Sequence, residues 1–284
     1  MSELTKRVLF AVAAIPVVAA AVLLGGAPLA VLLSVASALA AWEYSRLAIA
    51  AGQRPMTGWL IALAALLPLA THAVRLGLWV PPLPVVALLA PLLLAVAMWT
   101  RGADGRPLEA TATTIFGAWY TGGMLSFAYA LRYHRFAVGA VAGALLLMLP
   151  LVLTWLNDSG AYFFGKRFGR TKLMPSVSPG KTVAGAVGAV LTCVIGTWAY
   201  FKFLLAPYGG LGLTWVSMLT FGVALSVAAQ VGDLAESLLK RQAGVKDSST
   251  LIPGHGGVLD RIDSLLFTIP IAYVLLDLLL KVGR

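Results

Sequence analysis

Apolar runs follow one another along almost the whole chain, and each is close to the length that crosses a lipid bilayer. A membrane-spanning helix needs about twenty predominantly apolar residues. Such runs lie at about 8–25, 28–42, 57–71, 80–99, 113–131, 137–156, 182–204, 211–236 and 260–281. Lipid offers the backbone no hydrogen-bond partners, and the sequence lacks the alternation of a membrane barrel. The sequence therefore predicts an all-α, polytopic integral membrane protein with about nine transmembrane helices.

Two of the runs leave the number of spans open between eight and ten. The third has only about fifteen residues, and four prolines interrupt the fourth: Pro81, Pro82, Pro84 and Pro91. Composition agrees with a membrane location, because 11% of the 284 residues are charged, against about 25% in soluble domains. Lys6 and Arg7 precede the first run and no convincing cleavage site follows it, so we expect a retained helix.

Lysine and arginine are unevenly shared between alternate loops, and the richer side usually faces the cytoplasm. With nine spans, fifteen of these residues fall on the side of the N-terminus and six on the other. We therefore expect a cytoplasmic N-terminus and active site, an external C-terminus and a place in the cell (inner) membrane. The net charge of +10 then describes a face suited to anionic headgroups and phosphates, with nucleic acid a poor alternative.

The remaining composition indicates one membrane domain with two functional parts. The single cysteine, Cys193, lies in an apolar run, which excludes an intrachain disulfide and a thiolate zinc site and indicates packing. Residues 1–135 have few polar groups inside the spans, Glu43 and Arg46 being exceptions at a helix end, and we interpret them as scaffold helices. Residues 136–284 carry the charged segments and form the predicted catalytic region.

The first charged segment, residues 157–182, is a basic loop rich in glycine and hydroxyl groups. Glycine lets a backbone approach a ligand closely, lysine, serine and threonine donate to phosphate oxygens, and a helix that starts at Thr182 would favour anions. The predicted substrate-binding residues here are Lys166, Arg167, Lys172, Ser178, Lys181 and Thr182. A positively charged loop that only touches lipid headgroups is the alternative.

The second charged segment begins on an eighth span that we expect to extend from about 211 to 241, longer than the bilayer core. On it Asp233, Glu236, Ser237 and Lys240 are spaced i, i+3, i+4, i+7, which places them on one helix face. Two carboxylates that Lys240 and Arg241 simply neutralise are the alternative. Ionised groups are expensive to hold near lipid, so this density favours a functional site.

The segment continues into the ninth span. His255, Gly256 and Gly257 offer a close backbone approach, although a histidine in a turn is the alternative for His255. Asp260 and Asp263 would fall on one face of the first turns of the ninth helix, where acids suit the helix dipole. If helices eight and nine meet at the membrane boundary, Asp233 and Asp260 would bridge a hard cation through oxygen ligands. Asp277, alone in the last helix, is better explained as an interhelical hydrogen-bond partner or as a group near the outer interface.

The second segment as a whole resembles the characteristic motif of the phosphatidate cytidylyltransferases, or CDP-diacylglycerol synthases. The residues that carry the resemblance are Ser237, Lys240, Arg241, Lys246, Asp247, Pro253, His255, Gly256, Gly257, Asp260, Arg261 and Asp263. The stretches 157–162, 178–182 and 232–237 are similar to further family segments, so the resemblance covers roughly residues 155–265. Ala184 departs from the family pattern, in which a larger polar residue is expected, and this removes any ligand role there.

The resemblance implies transfer of a cytidylyl group from CTP to phosphatidate, which yields CDP-diacylglycerol and pyrophosphate, with Mg²⁺ and possibly a second cation. It implies catalytic roles for Asp233, Asp260, Lys240, Arg261 and Asp263. Asp233 and Asp260 are the first metal ligands. Asp158 and Glu236, followed by Asp247 and Asp263, are second choices, for direct or water-mediated coordination or for orienting basic side chains. Substrate binding falls to the basic loop and to Ser237, Arg241, Lys246, Asp247, His255, Gly256 and Gly257. A laterally open groove and a homodimer are further expectations.

Two other functions compete with this interpretation. A secondary transporter would bind ions near the membrane midplane, whereas the charges here cluster at one membrane edge and no inverted repeat is evident in the sequence. A CTP-dependent lipid kinase of the polyprenol kinase type would transfer only the γ-phosphate. The Asp-x-x-Asp-Gly-x-x-Ala-Arg pattern of enzymes that consume CDP-linked lipids is absent from the sequence.

Overall fold

The computed structural model describes residues 3–252, 254 and 256–282, with side chains described only from residue 12 to residue 280. Its helices are α1 (Glu3–Leu24), α2 (Gly26–Ala50), α3 (Thr57–Arg75), α4 (Leu83–Arg101), α5 (Pro107–Ala118), α6 (Met124–Arg132), α7 (Gly139–Phe168), α8 (Val183–Tyr200), α9 (Ala206–Gly209), α10 (Trp215–Gln242), α11 (Leu259–Ile262) and α12 (Leu265–Leu279). The strands are β1 (Lys172–Met174), β2 (Ser178–Thr182), β3 (Leu211–Gly212) and β4 (Lys281–Val282). Helix accounts for 78% of the described residues, which confirms the all-α prediction.

Seven helical segments in the described part of the chain are long and apolar enough to cross a membrane. They are Gly26–Ala50, Thr57–Arg75, Leu83–Arg101, Gly139–Phe168, Val183–Gly209, Trp215–Gln242 and Leu259–Leu279. Apolar side chains on them face outward, such as Val216 on α10 at 74% exposed, as lipid contact requires. The protein is a multi-pass membrane protein, and the predicted count of about nine is approximate.

The two remaining predicted spans have helical counterparts that are shorter or interrupted. The first corresponds to α1, of which Val12–Leu24 is a shorter apolar helix. The fifth is divided among α5, a π-helical turn at Trp119–Gly123 and α6. The prolines near the fourth span do not prevent a helix. Pro81 and Pro82 precede α4, and Pro84 lies in its first turn, where no backbone donor is lost, whereas Pro91 lies inside the helix.

Contacts group the chain into two compact units, which are described separately. Unit 1 comprises Met1–Ala21, Gly26–Ser126 and Leu239–Arg261. Part of its core is Met56, Leu93, Ala97 and Ala110. Unit 2 comprises Val22–Gly25, Phe127–Leu238 and Ile262–Arg284. The boundary predicted between residues 135 and 136 separates scaffold helices from catalytic helices, whereas these units reflect contacts alone, so that boundary stays a prediction.

Small residues bring helices close together inside unit 2. A Cβ atom added to Gly185 on α8 would lie 2.8 Å from the carbonyl oxygen of Ala161 on α7, and one added to Gly188 would collide with Phe164. Such close approach by small residues is a usual way for membrane helices to pack, since lipid removes the hydrophobic driving force. Helices α7 and α8 are therefore closely packed next to the basic segment, residues 157–182.

The eighth predicted span is the long helix α10. It has 28 residues, from Trp215 to Gln242, or about 42 Å at 1.5 Å per residue. This confirms that the helix extends well beyond a hydrocarbon core of about 30 Å. Its residues up to Leu238 belong to unit 2 and the last turn belongs to unit 1.

Candidate functional site

A cavity of about 400 Å³ in unit 2 is lined by the end of α7, the β1–β2 hairpin, the start of α8 and the middle of α10. Its charged lining consists of Asp158, Lys166, Lys172, Lys181 and Asp233. Glycines line much of the rest: Gly165, Gly169, Gly180 and Gly185. The cavity therefore combines oxygen ligands for a cation, cations for an anionic ligand and walls that allow close approach.

The hairpin gives the cavity its lysines. β1 and β2 pair antiparallel, with Lys172 opposite Thr182. The hydroxyl of Thr182 accepts a hydrogen bond of 3.1 Å from the amide of Gly185, which caps the first turn of α8. This confirms that Thr182 starts a helix, and it places Lys181 next to a helix N-terminus.

The carboxylate of Asp233 is paired inside the cavity. Its Oδ2 lies 2.7 Å from Nζ of Lys181, and the two side chains are 38% and 24% exposed. The hydroxyl of Ser237 donates to the other oxygen at 3.4 Å. Gly232 lets this part of α10 approach the turn after α11, because a Cβ atom there would lie 2.9 Å from the carbonyl oxygen of Asp263. Asp233 is therefore reachable from solvent and already faces a cation.

Uncharged polar groups form the floor of the cavity. The buried hydroxyl of Ser226 on α10 donates to Oδ1 of Asn157 on α7 at 2.6 Å. The amide of Gln230 donates to the same hydroxyl at 3.1 Å and to the carbonyl oxygen of Ala186 at 3.3 Å. The amide group of Asn157 in turn donates to Asp158 at 3.4 Å. This network joins three helices and orients Asp158.

A second group of predicted site residues surrounds Asp260 in unit 1. Oδ1 of Asp260 accepts from Nζ of Lys240 at 2.7 Å. Oδ2 accepts three bonds, from the amide and the hydroxyl of Ser248 at 2.9 and 2.7 Å and from the amide of Gly257 at 2.8 Å. The Asp260 side chain is only 5% exposed. Both oxygens of Asp260 are therefore satisfied, Oδ2 by three neutral donors and Oδ1 by the ammonium of Lys240.

The loop before α11 encloses a cavity of about 420 Å³ of its own in unit 1. Its lining includes Lys246, Asp247, Gly256 and Arg261. The φ angle of Gly256 is +82°, and a Cβ atom there would lie 2.8 Å from Oδ2 of Asp260. The glycines that were predicted to approach a ligand thus wrap closely around the protein's own carboxylate.

Several predicted residues lie elsewhere. Arg167 stacks on the ring of Phe168, and Arg241 donates to the carbonyl oxygen of Val245 at 3.4 Å, whereas Ser178 lies on β2 outside the lining of the unit 2 cavity. Glu236 is fully buried on α10. His255 lies outside the described residues.

One expectation about the ninth helix is wrong. Asp260 lies on α11, but Asp263 lies in the turn between α11 and α12 and so does not share a helix face with it. The reason is local, because Oδ1 of Asp263 accepts from the amide of Ser264 at 2.6 Å, a bond that competes with continued helix. Asp233 belongs to unit 2 and Asp260 to unit 1, so their convergence on one cation stays a prediction.

Two expectations outside the site agree with the structure. Cys193 is buried at 1% exposure, as a packing residue should be. Asp277 on α12 lies outside the cavity, as expected; its Oδ1 lies 2.6 Å from Nε of Arg135, which is in the segment between α6 and α7, so this pair does not join two helices.

Sequence reasoning missed several residues that the structure brings to these places. Tyr162 and Gln230 line the unit 2 cavity, and Ser226 holds its floor. Glu43, assigned to the scaffold, contacts Ser248, Ser249 and the backbone at 258–259 in unit 1. For Glu43 the available signal was an acidic residue at the end of an otherwise apolar helix.

Comparison with known proteins decides the family. The model of the cytidylyltransferase family matches residues 5–279. The chain belongs to this family. The resemblance drawn from the charged segments is thereby confirmed, and it extends over the N-terminal half, where the motifs themselves gave little.

Individual relatives agree with the family. A phosphatidate cytidylyltransferase of Pseudomonas aeruginosa is 36% identical over 296 residues, which cover 96% of this chain and 97% of the relative. Proteins of the same name from Haemophilus influenzae and Bacillus subtilis are 45% identical over 144 residues and 42% identical over 136 residues. These two matches cover 49% and 48% of this chain and 48% and 49% of the relatives. The chain thus spans about half the length of several curated relatives that it matches.

Proposed function

We propose that the protein is a phosphatidate cytidylyltransferase that transfers the cytidylyl group of CTP to phosphatidate. The observation that carries the proposal is the unit 2 cavity, in which Asp158 and Asp233 face Lys166, Lys172 and Lys181. Both substrates are polyanions, so their encounter requires countercharge at the reacting phosphates. The name of the relatives, phosphatidate cytidylyltransferase, supports the choice of substrates.

The reaction we infer is a displacement at the α-phosphorus of CTP. A phosphate oxygen of phosphatidate forms a bond to that phosphorus, and the bond from the phosphorus to the oxygen that bridges to the β-phosphate breaks. Pyrophosphate carries away the electron pair, and CDP-diacylglycerol remains in the membrane. The attacking phosphomonoester is largely ionised at neutral pH, because its second pKa is about 6. No general base is required, so catalysis rests on positioning and charge neutralisation.

The lysines have separate tasks in this proposal. Lys166 lies 5.7 Å from the ring centroid of Tyr162 on the exposed side of α7, where a lipid headgroup would arrive. Lys172 and Lys181 come from the two strands of the hairpin, and Lys181 stands beside the N-terminus of α8. Anions are favoured at such a terminus, so we assign the CTP phosphates to this pair.

The donor set also fits Mg²⁺. That ion is usually held by one or two carboxylates plus substrate phosphates rather than by a cage of protein ligands, and no group of three or more metal-binding side chains occurs among the described residues. Asp158 and Asp233 would hold it, with Asp260 and the buried Glu236 as further predicted ligands. When bound, the ion would neutralise phosphate charge and polarise the α-phosphate. A second cation remains a prediction.

The location follows from charge and substrate chemistry. We infer that the basic hairpin faces the cytoplasm, where CTP is available, and that the protein lies in the cell membrane with an external C-terminus. The acyl chains of phosphatidate would stay in the bilayer while the headgroup enters from the side. A homodimer is an expectation from the family resemblance alone.

The position of a radioactive label tests the reaction. Purified protein in lipid nanodiscs that contain phosphatidate would receive Mg²⁺ and CTP labelled either at the α- or at the γ-phosphorus. We expect the α-label to enter chloroform-soluble lipid and the γ-label to appear in pyrophosphate. Lipid that carries only the γ-label would support a lipid kinase instead, and uptake of substrate into vesicles without nucleotide consumption would support a transporter.

A further inference from the structure

Among the acidic side chains of unit 1 that the structure describes, Glu43 on α2 is the most completely buried. Its relative exposure is 0%, and it lies in the half of the sequence that was interpreted as scaffold. A buried carboxylate is costly unless hydrogen bonds satisfy both of its oxygens. The donors that satisfy Glu43 come from residues more than 200 positions further along the chain.

These donors belong to the two ends of one loop. At the first end, the hydroxyl of Ser249 donates to Oε1 at 2.6 Å. At the second end, the amides of Val258 and Leu259 donate to Oε1 and Oε2 at 2.9 and 2.6 Å. One carboxylate thus fastens residue 249 to residues 258–259 and closes the loop between them.

The same loop ends also hold Asp260. Ser248 Oγ lies 2.7 Å from Oδ2 of Asp260 and 3.2 Å from Oε2 of Glu43. A hydroxyl has one hydrogen to donate, so the shorter contact to Asp260 takes it. The amide of Gly257 donates to Asp260, while the next two amides, at 258 and 259, donate to Glu43. Glu43 and Asp260 therefore each accept hydrogen bonds from both ends of the loop.

The glycine at position 257 fits this arrangement. A Cβ atom there would collide with the hydroxyl of Ser248 and with Oε1 of Glu43. The second glycine of the His-Gly-Gly sequence is thus explained by the approach of Glu43 rather than by a ligand.

We propose that Glu43 is a positioning residue for cytidylyl transfer, which sets the place of Asp260 by fastening both ends of the 249–259 loop. The proposal rests on the proposed function, because Asp260 is there a predicted catalytic residue and cation ligand. Glu43 itself would touch neither substrate.

The test compares Glu43→Gln with Glu109→Gln. Glutamine keeps the shape of Glu43 but replaces one acceptor oxygen with an NH₂ donor. That donor would point at the loop's own donors, so at least one hydrogen bond is lost. Glu109, on α5 in the same unit, pairs with Arg106 just before that helix, so its variant controls for loss of one acid. We expect Glu43→Gln to lower kcat by roughly 30-fold or more, the scale of a lost hydrogen bond to a charged group, with Glu109→Gln close to wild type.

The magnesium requirement separates positioning from simple loss of folded protein. If Asp260 moves, the half-saturating Mg²⁺ concentration should rise by about tenfold, as for groups that orient metal ligands. A smaller fraction of folded enzyme would lower the rate but would leave this concentration unchanged. Ser249→Ala removes one donor to Glu43 and should raise the half-saturating Mg²⁺ concentration by a smaller factor. This variant replaces Glu43→Gln in the test if Glu43→Gln does not insert into the membrane.

A measurement without turnover reports on the loop itself. Ile252 is 8% exposed in the loop, so Ile252→Cys in a Cys193→Ala background places a protected thiol there. We expect maleimide to label this thiol at least about tenfold faster when Glu43→Gln is added, because loop opening then costs less. Glu109→Gln should not change the labelling rate.

Two outcomes would contradict the role of Glu43, and a third would contradict the proposed function. Unchanged labelling together with lost activity would mean that Glu43 acts otherwise than by holding the loop. Faster labelling with normal kcat and normal magnesium dependence would mean that the loop does not position Asp260. If the wild-type protein forms no CDP-diacylglycerol, the proposed function fails, and the labelling rates still decide whether Glu43 holds the loop.

Discussion

At the scale of single residues, the two aspartates expected to bind a cation stand in different surroundings. Asp233 is partly exposed and pairs with Lys181, whereas Asp260 is almost fully buried and accepts four hydrogen bonds. A partly solvated pair contributes less to folding than a buried one, and a buried one becomes costly when one partner is removed. The two positions should therefore respond differently to the same substitution.

Asp233→Asn should abolish turnover and leave the protein folded. The change removes a negative charge that the proposed Mg²⁺ site needs, and we expect kcat to fall by about a thousandfold, several kcal/mol of lost charge stabilisation. The melting temperature in detergent should fall by less than in Asp260→Asn, because the Asp233 side chain is 38% exposed and the Asp260 side chain only 5%. Asp104→Asn, at an exposed position in a short 3-10 helix, is the control, and near-normal turnover of Asp233→Asn at saturating Mg²⁺ would refute the role.

Asp260→Asn should cost both activity and stability. All the groups that contact Asp260 are hydrogen-bond donors. The NH₂ group of an asparagine would have to point either at Lys240 or at the amides of Ser248 and Gly257, and would lose the bonds made there. Breaking such a buried pair costs about 3 kcal/mol, so a melting temperature several degrees below that of Asp233→Asn is expected. Equal melting curves for the two variants would show that the Asp260 cluster is not a structural element.

At the scale of elements, the sequence predicted features that depend on local signals, such as helix boundaries, better than features that depend on tertiary contacts. The predicted helix start at Thr182 and the long extension of α10 were both correct, because a cap and an apolar period are local signals. The β1–β2 hairpin was not predicted, since its strands carry neither alternation nor a typical turn. The break after α11 also escaped prediction, because it depends on one bond between Asp263 and Ser264.

The packing of α7 against α8 should depend on Gly188. A Cβ atom at this position collides with Phe164 on α7, and overpacking usually costs about 1–3 kcal/mol. Gly188→Ala should therefore lower the melting temperature and, by shifting the cavity wall, the rate of cytidylyl transfer. Gly58→Ala is the matched control, because nothing lies within 4 Å of its added Cβ atom. Similar melting temperatures for the two variants would contradict this packing.

At the scale of the whole molecule, composition fixed the class of protein, while the number of spans was harder to predict. Seven described segments are clearly long and apolar enough to span, because hydropathy is a property of the segment alone. The fifth predicted run is not among these seven, and it contains a π-helical turn at Trp119–Gly123 that no apolar count reveals. The contacts of Glu43 were equally out of reach, because they join residues more than 200 positions apart.

The proposed orientation predicts opposite accessibility at the two ends of α8. Lys172 and Lys202 are both exposed and lie before and after this helix, which is 18 residues long. In a Cys193→Ala background, Lys172→Cys should react with a membrane-impermeant maleimide only in inverted vesicles, and Lys202→Cys only in right-side-out ones. The positive-inside asymmetry is the physical reason. The reverse labelling pattern would invert the proposed topology.

The central claim is that this membrane protein joins CTP and phosphatidate at the unit 2 cavity. The most direct measurement is the yield of CDP-diacylglycerol and pyrophosphate from purified protein in nanodiscs, with Asp233→Asn measured beside it. We predict that the wild-type protein forms the two products in equal amounts, only with CTP, phosphatidate and Mg²⁺ all present, and that the variant forms neither. No cytidine in lipid from the wild type, or equal yields from the variant, would contradict the claim.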